Sequence, residues 1–243
     1  MARVGDDSFG RDQRAQLQAA DVDCRLATDA ALPTGAIVVI VTPDGERTMY
    51  PDRGANLALT TADVDRAPFD TAAHLHVAGY ALLADGSRPA ALHAIRRARE
   101  QRMSVSVDPS SAQPLRAAGA AAFLDWTRGV GTCLPNLQEV RVLTDCNEPR
   151  EAIRLLAEAY PEVVVTLGAD GALWTDGAEV LHCAATVPPD LGSIDSTGAG
   201  DAFTAGWLAA RLRGAGVQTA LAAATDLAAA ALSTRGARPP VAG

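Results

Sequence analysis

The chain is 243 residues long, 48% of them hydrophobic and 21% charged, enough for one sizeable core without forcing a second domain. A formal net charge of −8 argues against broad binding to nucleic acid or to an anionic membrane, though not against a nucleotide in a locally positive pocket. Every basic side chain other than histidine is arginine, so a GxxxxGK[ST] phosphate loop and Schiff-base lysine chemistry are both excluded.

Along the chain, residues 11–20 (RDQRAQLQAA) read as a helix set off by Gly10. The stretch 36–51 (AIVVIVTPDGERTMYP) predicts two strands around a Pro43-Asp44-Gly45 turn. LHVAGYALL (75–83) is apolar and bounded by turns, and His74 and His76 alternate as strand residues do. PAALHAIRRARE (89–100) carries apolar positions at helical spacing, and MSVSVDPS (103–110) predicts a short strand ending at Asp108-Pro109. AAFLDWTRGVGTCLPN (121–136) leads to a break, after which a helix starts in NLQEVRVL (136–143). REAIRLLAEAY (150–160) is amphipathic, VVVTLG (163–168) is a buried β-branched strand, and ALWTDGAEVLHC (172–183) predicts a hairpin turning at Asp176-Gly177. Alanine-rich helices follow at 201–212 and 218–232. Short apolar strands alternating with helices predict a layered α/β sheet, in a single domain over 1–243 with a small β excursion at 33–60.

The chemistry concentrates in DSTGAGD (195–201). Gly198 and Gly200 bare backbone whose N–H groups can converge on an anion, and a helix beginning near Asp201 adds a partial positive charge there. Asp201 at that terminus is stabilised as a carboxylate, the form needed to take a proton from a hydroxyl attacking a phosphoryl group. The plainer alternative is a helix cap preceded by turn glycines. Asn136 followed by Glu139 is equally a capping box. Gly168 and Gly171 equally end a strand in a turn. The four cysteines lack CxxC spacing and the four histidines lack HExxH spacing, so neither a zinc site nor a disulfide framework is indicated. The amino terminus has no apolar signal core and no run approaches ~20 apolar residues, which predicts a cytoplasmic protein with no membrane span.

DSTGAGDAFTAG resembles the C-terminal signature of the ribokinase-like sugar kinases, the phosphofructokinase-B family. CLPNLQEV (133–140), VVVTLGADGALW (163–174) and ALSTRGARPP (231–240) are similar to further segments of that family in the same order, and 4–59 to its early section. The resemblance implies a ribokinase-like three-layer α/β/α sandwich with a Rossmann-like, mainly parallel sheet and a small, incomplete β lid at 33–60. It implies transfer of phosphate from ATP to a hydroxymethyl group of a sugar, sugar acid or nucleoside. Asp201 would be the base, with Gly198, Ala199 and Gly200 as the anion hole. Asn136 and Glu139 would organise Mg2+, and Thr166, Gly168 and Gly171 would border the nucleotide. Asp195 and Thr197, with backbone near Ser233 and Gly236, match positions that bind K+ in some members. The family also implies pairing into a homodimer through lid strands. Helix 218–232 would either admit adenine or simply pack.

The family's usual opening strand and Gly-Gly sugar-binding segment have no counterpart before Val4. That absence sets two expectations: a true start further upstream, or a truncated nucleotide-binding remnant with little or no turnover. The acceptor stays open, since Gly79 stands where some members place an acidic sugar contact. A Rossmann dehydrogenase fits poorly, because GxGxxG is missing and the glycines fall late in the chain.

Overall fold

A computed structural model describes residues 1–41, 47–187 and 196–233. Contacts divide the chain into two compact units, Met1–Val105 and Ser106–Gly243. The first opens with strand β1 (Ala2–Gly5), helix α1 (Ser8–Ala19) and strand β2 (Leu26–Asp29), and β1 and β2 pair in parallel. Helix α1 starts three residues before the predicted Arg11 because Asp7 caps it, its Oδ1 accepting from the Gly10 N–H at 2.8 Å. Gly10 is therefore not a breaker. A Cβ there would lie 2.9 Å from Thr34 Oγ1, so the glycine permits close approach of helix and loop.

Strands β3 (Ala36–Val41) and β4 (Arg47–Asp52) form the expected antiparallel ribbon, in register Ala36↔Asp52 through Val41↔Arg47. The Pro43-Asp44-Gly45 turn between them lies outside the described residues. A short 3₁₀ turn (Gly54–Ala58) leads to α2 (Thr61–Val64), capped by a Thr60–Asp63 box. Arg3 ties these pieces together: it pairs with Asp29 at 2.9 Å and with the largely buried Asp63 at 2.7 Å. Strand β5 (His74–Ala78) carries both histidines, with His74 Nδ1 2.7 Å from Ser104 Oγ. Burial holds the His76 imidazole down to about 4, with His74 adding to the effect, so His76 is a neutral strand residue. Helices α3 (Tyr80–Leu83) and α4 (Arg88–Glu100) follow, α4 burying Ala90, Ala91, Ala94, Ile95 and Ala98 along one face.

Strand β6 (Ser104–Asp108) carries the chain into the second unit, where helices α5 (Ala112–Ala118) and α6 (Ala120–Trp126) meet at Gly119, held at φ +88°. The two-residue strand β7 (Thr132–Cys133) precedes α7 (Leu137–Thr144), α8 (Pro149–Leu156) and β8 (Glu162–Thr166). The predicted hairpin appears as β9 (Ala172–Thr175) and β10 (Val180–Cys183), turning through Gly177 at φ +90°. Helices α9 (Ala199–Leu212) and α10 (Val217–Leu232) complete the described chain.

In this unit the strands run β10-β9-β8-β7-β6. Strands β6, β7 and β8 are parallel, and β9 and β10 extend the sheet antiparallel. Val163, Val164 and Val165 of β8 are wholly buried, as a continuous β-branched run on an inner parallel strand requires. Val164 and Trp174 pack against Phe203 and Trp207 of α9 and Leu221 of α10. At the starting end of β8, Glu162 fixes α9 to the sheet, accepting from Trp174 Nε1 at 2.9 Å and pairing with Arg211 at 3.3 Å. The opposite end, where the parallel strands finish, is where open α/β sheets place their ligands.

Candidate active site

Strand β8 finishes at Thr166, whose amide donates to the Pro135 carbonyl at 3.1 Å. An isolated parallel bridge then sets Asn136 beside Thr166. Asn136 caps α7 in the full reciprocal box: its Oδ1 accepts from the Glu139 amide at 3.0 Å, and Glu139 Oε2 accepts from the Asn136 amide at 2.9 Å. A further bond joins Asn136 Nδ2 to Glu139 Oε1 at 2.7 Å. The cap is therefore real, yet its carboxylate is unusual. Glu139 is only 1% exposed. Burial, reinforced by the charge of Asp108, pushes its pKa up to about 7 against the bonds from Asn136.

Asp108, at the end of β6, is the functional candidate that the sequence reading passed over. Its Oδ1 accepts from the Ser110 amide at 2.6 Å, yet burial, together with the charge of Asp201, lifts its pKa to about 6. The signal was present: an Asp-Pro pair closing a strand at the ligand end of a layered sheet. Beneath these acids the fully buried Cys133 thiol is pushed up by burial and by Asp108 and Glu139, which makes it a packing residue rather than a nucleophile. Among the described residues no group of three or more His, Cys, Asp and Glu side chains is close enough to chelate a metal ion. The half-buried Asp108 and the buried Glu139 still form an electron-rich pair whose repulsion a hydrated divalent cation would relieve, so the residues present suit Mg2+, which keeps much of its water.

Gly198 sits at φ +83° as the N-cap of α9, a conformation that favours glycine, and accepts from the Ala202 amide at 2.9 Å. The helix starts at Ala199, two residues earlier than expected, which puts Ala199, Gly200 and Asp201 together in its first turn. First-turn amides lack helical acceptors and stand at the positive end of the helix dipole. The Ala199 amide turns back to the Ser196 carbonyl at 3.3 Å. A side chain on Gly200 would meet nothing within 4 Å, so that glycine leaves its backbone open. The Asp201 side chain is exposed in the same turn.

The end of β8 and the start of α9 share a cavity of about 460 Å³, whose lining does not include Asp108, Asn136, Glu139, Gly198 or Asp201. Thr166, Gly168 and Gly171 wall it on the β8 side, Ala199 and Gly200 at the start of α9, and small α10 residues opposite. Gly171 has φ +88°, and a Cβ there would come within 2.7 Å of the Ala184 carbonyl carbon and the Ala185 nitrogen. Thr197 is half-buried in the turn before α9 and does not line the cavity. Asp195 and Gly236 lie outside the described residues.

Residues 1–242 match the profile of the pfkB family carbohydrate kinases. The chain belongs to that family. It is 30% identical to a 2-dehydro-3-deoxygluconokinase of Thermoproteus tenax over 97% of this chain and 74% of that protein. It is 35% identical to a fructokinase of Klebsiella pneumoniae over 94% of this chain and 75% of that one. Among solved structures, adenosine kinase from Sinorhizobium meliloti superposes with a TM-score of 0.89 at 25% identity, covering 99% of this chain and 74% of that chain. A ribokinase II of E. coli in complex with ATP and Mg2+ superposes at 0.87 with 26% identity, covering 98% and 77%. This pfkB member is thus a carbohydrate kinase with a ribokinase-like α/β fold. No helix among its described residues is long and apolar enough to cross a membrane.

Proposed function

We propose that the chain transfers the γ-phosphate of ATP to a hydroxymethyl group of a small sugar or sugar-like alcohol, as one kinase domain over 1–243. The observation that carries the reading is Asp201, exposed in the first turn of α9 directly after Gly198 and Gly200, where α9 opens onto the cavity bounded by Thr166, Gly168 and Gly171. The nucleoside occupies that cavity, and its phosphates extend to the backbone of Gly198, Ala199 and Gly200. Asp201 accepts the acceptor's hydroxyl proton. The freed oxygen bonds to the γ-phosphorus as the bond to the β–γ bridging oxygen breaks, and ADP leaves with that electron pair. Asn136 and Glu139, now with Asp108, would hold Mg2+, which when bound offsets charge on the phosphates. Thr197, Asp195 and Gly236 are the candidate K+ contacts.

Ketohexoses, sugar acids and nucleosides make up the acceptor panel, in line with the fructokinase, 2-dehydro-3-deoxygluconokinase and adenosine kinase that the chain resembles. ATP as donor puts the reaction in the cytoplasm. The exposed Ile37, Val38, Ile40, Met49 and Tyr50 on the β3–β4 ribbon support pairing of two copies there. The test is acceptor-dependent ADP release from Mg2+-ATP with K+ present, run beside Asp201→Asn. We expect the variant to lose roughly 10²–10⁴-fold in kcat with little change in ADP affinity. Full turnover in Asp201→Asn would remove the base assignment. Nucleotide binding with no acceptor-dependent release would mark a nucleotide-binding remnant instead.

A further inference from the structure

The connection from β8 to β9 gives Gly168, Ala169 and Gly171 to one wall of the cavity, and the segment after β10 gives it Ala185 and Thr186. Gly168–Asp170 is a single exposed 3₁₀ turn, so hydrogen bonds more than packing set its course. The Gly171 amide donates to the Gly168 carbonyl at 3.1 Å, and the Leu167 amide donates to the Gly171 carbonyl at 2.8 Å. Those bonds close the turn on itself. Two contacts then tie it to β10 and the residues that follow. A side chain on Gly171 would collide with the Cys183 carbonyl oxygen, so the two backbones touch there. One residue earlier, the Asp170 carbonyl accepts from His182 Nε2 at 2.7 Å. Leu181 and Cys183 pack against the core formed with α9 and α10, and alternation along the strand turns the intervening His182 to the other side, where it is exposed.

Resting on the reading of this cavity as the nucleotide site, we propose that His182 is a positioning residue for the nucleotide: its bond to the Asp170 carbonyl fixes the 168–171 turn against the segment after β10. A carbonyl oxygen only accepts, so the proton that makes the bond sits on Nε2. The peptide joining Asp170 to Gly171 is thereby held at both ends, its N–H by Gly168 and its carbonyl by His182. Gly171 follows at φ +88° and ψ −129°, and glycine has other conformations open to it. With the carbonyl released, that peptide can rotate and carry Gly168 and Ala169 away from the wall. His182 itself does not line the cavity. It acts through the backbone of the two walls, so its loss weakens nucleotide binding and leaves the first turn of α9 alone.

The experiment is calorimetric titration of the 243-residue chain with ADP and Mg2+, beside three variants whose melting is followed in parallel. His182→Ala and His182→Leu cannot donate, the first emptying the site and the second filling it. His182→Gln carries an N–H at a similar reach. We expect the ADP dissociation constant to rise roughly 3–10-fold in the two variants that cannot donate, the worth of one neutral hydrogen bond, and to stay within about twofold of the parent in His182→Gln. Unchanged ADP affinity in a folded His182→Ala or His182→Leu overturns the inference and leaves the nucleotide site intact. So does equal weakening in all three variants, because the ring and not its N–H would then be what matters. A lowered Tm with unchanged affinity would make His182 a residue of the edge strand alone, which also overturns it. If the parent chain binds no ADP, the nucleotide-site reading falls, and this inference with it.

Discussion

Replacing Asp108 with asparagine keeps an Oδ1 acceptor for the Ser110 amide while deleting the charge that burial and Asp201 disfavour. The carboxyl moves from 3.8 to about 6 on folding. Two units at 1.36 kcal/mol each amount to about 3 kcal/mol of destabilisation when the group is ionised. A carboxyl with a raised folded pKa binds its proton more tightly in the folded chain. Stability therefore falls as pH rises through the window between those two values, and the penalty is complete above it. Asp108→Asn should accordingly gain about 2–3 kcal/mol at pH 8 and about half as much at pH 5. Removing the charge also eases the like-charged Glu139, which adds to the gain at the higher pH. For a chain of this size the pH 8 gain is a rise in Tm of about 5–10 °C. Scanning calorimetry of both proteins in chelator, at pH 5 and pH 8, measures it. An unchanged or lowered Tm at pH 8, or equal gains at both pH values, would refute the charge-burial argument. If Mg2+ is held there as proposed, the same variant should also turn over more slowly, since it removes one of the charges that would attract the cation.

Gly171→Ala places a Cβ against Ala184 and Ala185 at φ +88°, so about 2 kcal/mol or more should be lost in urea denaturation, together with nucleotide affinity. Gly177→Ala, equally at positive φ (+90°) but with nothing within 4 Å of the added carbon, should lose only the backbone share, about 1 kcal/mol. Equal losses at the two positions would show that contact with 184–185 contributes nothing. Arg3→Met leaves Asp63 buried with, among the described residues, Arg66 as its remaining cationic partner, and should destabilise the protein by about 3 kcal/mol, read as a shift in denaturation midpoint at pH 7. Val38→Lys on the ribbon should yield monomers in light scattering if two copies pair there, and an unchanged mass would locate any pairing elsewhere.

The sequence made the α/β order legible because its strong signals are local. The β-branched run of β8, the Asp-Gly turn of the β9–β10 hairpin and the amphipathic α8 each announce themselves within a few residues. The misses have non-local causes. Strand β7 is two residues long and exists only because β6 and β8 flank it, so no periodicity could reveal it. Gly10 looked like a breaker because its reason for being glycine, the Gly5 carbonyl oxygen and Thr34 Oγ1 that would crowd a Cβ there, appears only once the chain has folded back on itself. Asp108 looked like a strand end because its character comes from burial and from Asp201, ninety-three residues later. Asn136 and Glu139 were open to two readings that the structure makes compatible: the cap fixes the carboxylate, and burial beside Asp108 gives that fixed carboxylate its raised pKa.

The alanine-rich α10 shows why composition alone could not choose between packing and ligand contact. On one side of the helix, a Cβ on Gly206 of α9 would come within 2.8 Å of the Ala223 carbonyl oxygen and the Ala224 Cα, so the helices touch backbone to backbone and small residues are obligatory. On another, Ala228 and Ala229 form the cavity wall opposite Gly168 and Gly171. One compositional bias thus answers two demands on different faces. They respond oppositely to the same change: Ala224→Leu should unseat α9 from α10 and cost stability, whereas Ala229→Leu should chiefly fill the cavity and cost nucleotide affinity. If both substitutions reduced stability equally and neither touched ADP binding, α10 would be a packing helix and nothing more.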